Sequence, residues 1–174
     1  MAVLVVAYPT LSQADNSWIQ ALRTQHDSQH PLIAPHFTVV FPTDRLDPMA
    51  MLDHVVSCTR TITHFSFVLR CATTVKDSFS TKTHLFLVPD EGYSGLVKLH
   101  DALYTHILAS ELSLDVPYIP HITVGDHVES NVLRPIATTI NAQNICIDGQ
   151  IPALDIVVYA NNSVQTTETV QLAR

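Results

Sequence analysis

The chain has 174 residues, 47% hydrophobic and only 14% charged, which is enough to bury a substantial core and too apolar for a disordered segment. Its 16 acidic residues outnumber 9 basic ones, giving a formal charge of -7; no basic face for wrapping long nucleic acid is visible, so a small ligand or the end of a strand is the expected partner. Cys58, Cys71 and Cys146 show no metal-binding spacing and their odd number argues against a disulfide scaffold, while no apolar run approaches the roughly 18 residues of a membrane span, so a cytoplasmic protein is expected.

Taken in chain order, Val3 to Ala7 is apolar and short, and reads as a buried strand. A helix is predicted from about Ser12 to Asp27, with Ser12 as its N-cap and Trp18 and Leu22 on one face. Pro35-His36-Phe37-Thr38-Val39 follows as a strand. Next come a helix from about Asp47 to Arg60 and a strand from about Phe65 to Cys71. The stretch from 73 to 83 is rich in Thr, Ser and Lys and reads as a join. Beyond it the order starts again: a strand from His84 to Val88, then a helix from about Ser94 to Leu112. In that helix Leu96, Leu99, Leu103 and Ile107 recur at three and four, with Ser94 as N-cap. The strand Pro120-His121-Ile122-Thr123-Val124 follows, then a helix from about Ser130 to Asn141. Strands near Ile145 to Ile147 and Leu154 to Tyr159, with an edge strand over Val164 to Leu172, complete the chain.

The two Pro-His-apolar-Thr-Val segments share four of five residues, each after a strand and a helix. The chain therefore reads as two related lobes, about 1–72 and 84–174, packed as one bilobal domain spanning 1–174. Side chains alternate along a strand. Hence His36 and Thr38 share a face opposite Phe37, Val39 and Phe41, and His121 and Thr123 share a face opposite Ile122 and Val124. A pseudo-twofold axis would bring the two His-Thr pairs face to face. One imidazole can then take a proton from a nucleophile while the other gives one to a leaving oxygen. The threonine hydroxyls can donate to the non-bridging phosphate oxygens. His-x-Thr by itself arises about once by chance in a chain of this composition. His64-Phe65-Ser66 is such a near-match, without the proline or the strand-helix lead-in. The recurrence in matching context is what carries the assignment of His36 and His121 as the catalytic pair and of Thr38 and Thr123 as phosphate-binding.

On these motifs the sequence resembles the two-histidine (2H) phosphoesterase superfamily, including the bacterial 2′-5′ RNA ligase and 2′,3′-cyclic phosphodiesterase proteins. The resemblance covers nearly the whole chain. It implies an α+β fold of two lobes with antiparallel sheets around a central cleft. It also implies metal-independent hydrolysis of a cyclic (2′,3′-type) or 2′-linked phosphodiester of a nucleotide or RNA end, with no cofactor. Relatives acting on RNA often carry an arginine soon after the second motif; here Gly125, Asp126 and His127 stand there, which counts against RNA-end binding. Tyr8, Lys82 and Tyr118 are auxiliary candidates for contacting substrate. The rival readings are ligation in place of hydrolysis, since the same acid-base pair serves either direction, and a module that binds a nucleotide without turnover. A metal reading of His26 and His30, spaced i, i+4, is opposed by Pro31 and the lack of HExxH. His54, His64, His84, His100, His106 and His127 lack convincing partners in the sequence. Oligomeric state is left open.

Overall fold

Along β1 (Ala2–Ala7) the alternating residues Val3, Val5 and Ala7 enter the main core, while Leu4 and Val6 turn to the other face. The computed structural model describes residues 1–78 and 80–174. Among the described residues nine strands form two antiparallel sheets. The others are β2 (Thr10–Leu11), β3 (Phe37–Thr43), β4 (Phe65–Lys76), β5 (Thr83–Glu91), β6 (Ile122–His127), β7 (Ile147–Ile151), β8 (Ala153–Ala160) and β9 (Ser163–Gln171). One sheet runs β3-β1-β8-β9 and the other β2-β7-β4-β5-β6. Setting β2 aside, the orders match strand for strand: β3 with β6, β1 with β5, β8 with β4 and β9 with β7. This is the expected pseudo-twofold α+β architecture. The halves interlock, because β4 joins the sheet of the second motif and β8-β9 join the sheet of the first.

The helices are α1 (Gln13–His26), α2 (Pro48–Thr59), α3 (Tyr93–Leu103) and α4 (Ser130–Ala142). The Ser12 hydroxyl accepts from the Asp15 amide and caps α1 as the sequence predicts. Asp47 caps α2 through the Ala50 amide, with Pro48 opening the helix. Helix α1 precedes the first motif strand, yet it packs on the second, β6; α3 precedes the second and packs on the first, β3. This exchange ties the two motifs into one core. Phe37 and Phe67 meet edge to face at 5.0 Å across it. No helix among the described residues is long and apolar enough to cross a membrane.

Three expectations need correction. The helix predicted from Ser94 to Leu112 begins after Gly92, whose left-handed backbone (φ 79°) sets its start, and ends at Leu103. A separate 3-10 helix, His106–Glu111, continues the apolar spacing after His106 turns to positive φ. The strand expected at Ile145 to Ile147 begins at Ile147 and runs to Ile151. It packs Gly149 against Phe67, and a Cβ there would collide with the phenyl ring. Finally, Phe41 lines the cleft with His36 and Thr38 instead of facing away from them. Val5 pairs with Val40 and Val6 with Thr38, so Val39 is an extra residue that resets the alternation.

Candidate active site

The bulge in β3 has a twin. Leu85 pairs with Gly125 and Phe86 with Thr123, which leaves Val124 as the extra residue of β6. Val39 and Val124 hold the same place in the two motifs. Each bulge follows its threonine directly, and bulges of this kind re-aim neighbouring side chains. The extra residue needs partners for its displaced backbone groups. In β3 these come from side chains: Tyr118 Oη donates to Thr38 O (3.1 Å), His100 Nδ1 donates to Val39 O (3.0 Å), and Phe41 N donates to Tyr104 Oη (2.9 Å). Tyr118 and His100 stack at 3.7 Å with their planes 3° apart.

The result is a cleft of about 770 Å³ lined by His36, Thr38, His121 and Thr123 together. The two histidines are held alike. His36 Nδ1 lies 2.8 Å from Ala34 O, and His121 Nδ1 bonds Ile119 O, in each case the carbonyl two residues earlier. A carbonyl only accepts, so each Nδ1 carries the proton and each Nε2 keeps its lone pair. Among the described residues no hydrogen bond within the chain engages the hydroxyl of Thr38 or Thr123, so both remain available to a ligand.

Burial pushes the His36 pKa down to about 4; the Ala34 carbonyl opposes this and the Arg23 charge adds to it. Burial does the same to His121, also to about 4, with Ile119 opposing and the charges of His36 and His84 adding. His121 also stacks on Phe86 at 3.4 Å, and Phe86 lies near-parallel to His84 at 5.7 Å.

The auxiliary candidates take different places. Tyr8 meets the His36 ring edge-on at 6.2 Å and packs beside Leu4, Val6, Ile33 and Val157, so it buttresses the catalytic candidate. Lys82 bonds Asp126 and the Ser28 hydroxyl at the rim of a smaller adjoining pocket, which also contains Thr123 and His84. Tyr118 donates its hydroxyl to Thr38 O, and its neighbours Pro117 and Ile119 line the cleft. Asp126 lines the adjoining pocket and not the main cleft. Its carboxylate accepts from Ser28 N (2.7 Å), the Ser28 hydroxyl and Lys82. Burial works to raise its pKa, and these bonds outweigh that and hold it below the ordinary value.

Sequence reasoning passed over His84, Phe86 and His100. Alternation along β5 places His84 and Phe86 on one face, so the pairing of β5 with β6 was the signal that could have found them. His100 offered no such signal, because its partner is a bulge carbonyl. His26 ends α1 and His30 lies in the following turn, so their i, i+4 spacing does not set them on one helix; His30 bonds Thr24 instead. Among the described residues no group of three His, Cys, Asp or Glu side chains is placed to hold a metal ion.

Residues 10–163 match the family model of the 2'-5' RNA ligase superfamily. A protein of Geobacillus sp. (strain WCH70) named "Putative phosphoesterase" is 23% identical over 155 residues, spanning 89% of this chain and 87% of its own. Among solved structures, TT0787 of Thermus thermophilus superposes with a TM-score of 0.63 at 14% identity, covering 99% of this chain and 98% of that one. Apo LigT of E. coli superposes with a TM-score of 0.58 at 15% identity and the same coverage. At such identities these likenesses speak for the fold.

Proposed function

Because the chain belongs to the 2'-5' RNA ligase superfamily, we propose that it is a metal-independent phosphodiesterase, hydrolysing a cyclic or 2′-linked nucleotide phosphodiester through His36 and His121. The observation that carries this reading is the matched pair of histidines in one cleft. Each is fixed by its Nδ1–H to the carbonyl two residues earlier, and each has a bare Nε2.

One Nε2 takes a proton from water as its oxygen bonds to phosphorus. The other ring, protonated, gives its proton to the leaving sugar oxygen as the P–O bond breaks, and a phosphomonoester results. Both rings are predominantly neutral in the empty cleft at neutral pH. An anionic phosphodiester between them favours the charged form of one, and so recruits the acid when substrate binds. The free hydroxyls of Thr38 and Thr123 donate to the non-bridging oxygens, where charge accumulates. Crystal structures of E. coli LigT complexed with 3'-AMP, ATP, NADP+ and phosphate support a small nucleotide or phosphate as the ligand. The free thiols of Cys58, Cys71 and Cys146 support a reducing, cytoplasmic setting.

The test is hydrolysis of 2′,3′-cyclic nucleotides in excess EDTA. His36→Ala and His121→Ala are each expected to slow turnover about a hundredfold or more, and Thr38→Ala or Thr123→Ala less. Full activity in both histidine variants would refute the site, and loss of activity in EDTA would refute metal independence. Binding without turnover of any cyclic or 2′-linked substrate would favour a recognition module.

A further inference from the structure

The cleft differs in kind from a groove that follows a nucleic-acid backbone. Its walls are apolar: Leu4, Ile33, Phe41, Val75, Val116 and Val164 all line it. Ile33 and Val116 come from the two loops that lead into the motifs, so both approaches to the histidines are greasy. Positive charge is scarce: Lys76 lines the cleft and bonds Thr81 O, and Lys82 in the adjoining pocket is paired with Asp126 and bonds Ser28. Among the described residues no arginine lines either cavity. Arg23 is buried against Asp27 and Ile33 O, and Arg70 pairs with Asp90 and Glu91 on the outer surface. The adjoining pocket carries the carboxylates of Asp27, Asp77 and Asp126. A phosphate flanking the reacting one would meet apolar walls, with Lys76 as the cation of the cleft lining, or a pocket in which Lys82 is outnumbered by three carboxylates.

We propose that the cleft selects a phosphodiester with one phosphate and one bulky aromatic or apolar group, and discriminates against RNA ends and other substrates carrying additional phosphates. This deepens the phosphodiesterase reading by naming its substrate class, and it rests on that reading for the location of the phosphate. The reacting phosphate sits between the two His-Thr pairs. The organic group packs on the walls and gains from leaving water. Flanking phosphates lose hydration and, Lys76 apart, find no unpaired cation among the described lining residues.

The experiment is calorimetric binding to the full chain in EDTA. The probes are inorganic phosphate, 3'-AMP, adenosine 3′,5′-bisphosphate and a triadenylate ending in a 3′-phosphate. 3'-AMP is expected to bind about tenfold tighter than each of the other three, and to weaken less than about fourfold between roughly 50 and 200 mM salt. Ile33→Ala and, as a second and less buried site, Val164→Ala are expected to weaken 3'-AMP severalfold and leave inorganic phosphate unchanged. Val75→Lys is expected to improve triadenylate binding severalfold. Triadenylate binding as tight as 3'-AMP, with a steep loss in salt, would overturn the proposal. So would 3'-AMP binding no tighter than inorganic phosphate. Because binding is read without turnover, a chain that prefers 3'-AMP but hydrolyses nothing would refute the phosphodiesterase and leave this selectivity standing.

Discussion

Acidification should weaken the fold through the same two histidines proposed to do the chemistry. Both have pKa values of about 4 in the folded chain, against 6.5 for a free imidazole. The unfolded chain therefore binds more protons than the folded one between those values. The stability these rings allow is fully present above pH 6.5 and drains away as pH falls toward 4. At about 1.4 kcal/mol for each pH unit, charging one fully enclosed ring would cost roughly 3 kcal/mol. The rings border an open cleft whose water screens them, so the pair together is expected to cost about 3 kcal/mol. Urea unfolding of the wild type and of the His36→Gln, His121→Gln double variant between about pH 7 and pH 4.5 measures this difference. His100, whose pKa burial also lowers against the opposing bond to Val39 O, is present in both proteins and cancels. Parallel loss of stability in the two proteins would refute the assignment of neutral rings lining the cleft.

The same values place the pH optimum. kcat/KM needs one ring charged and one neutral, so its bell is expected to peak on the acid side of neutrality, below about pH 6.5; a flat profile, or one that peaks above neutrality, would contradict the mechanism. Tyr118→Phe removes the donor to Thr38 O and is expected to cost about 1 kcal/mol in thermal or urea unfolding. It should also lower kcat, because the freed bulge no longer fixes Thr38, and an unchanged kcat would show that the bulge holds without it. Gly149→Ala would drive a methyl into the Phe67 ring and is expected to destabilise by about 2 kcal/mol, read as a drop in Tm.

The candidate site was legible in the sequence because its motif is written twice. A single His-x-Thr is noise, whereas two copies with a shared proline, valine and strand-helix lead-in are a pattern that local periodicity can expose. Capping at Ser12 was equally legible, since a hydroxyl before a helical run acts over three residues. The helix predicted over Ser94 to Leu112 failed on a local event that apolar spacing does not register, the chain turning at Tyr104 to His106. Phe41 failed because period-2 alternation assumes an unbroken strand, and one inserted valine reverses the face of the residues that follow it, until a second irregularity before Thr43 shifts the register again.

The sequence by itself determined the four residues of the candidate site and the repeated half-fold that carries them, because both depend on neighbours within a few positions along the chain. Only the tertiary structure decided which strands share a sheet, that each lead-in helix packs on the opposite motif, and that His100, Tyr104 and Tyr118 satisfy the bulge. It also decided that the cleft is apolar and short of free cations. These outcomes depend on contacts between residues 60 to 80 positions apart, such as Val39 with His100, Phe41 with Tyr104 and Thr38 with Tyr118. Their partners are fixed by shared burial, which no local pattern records.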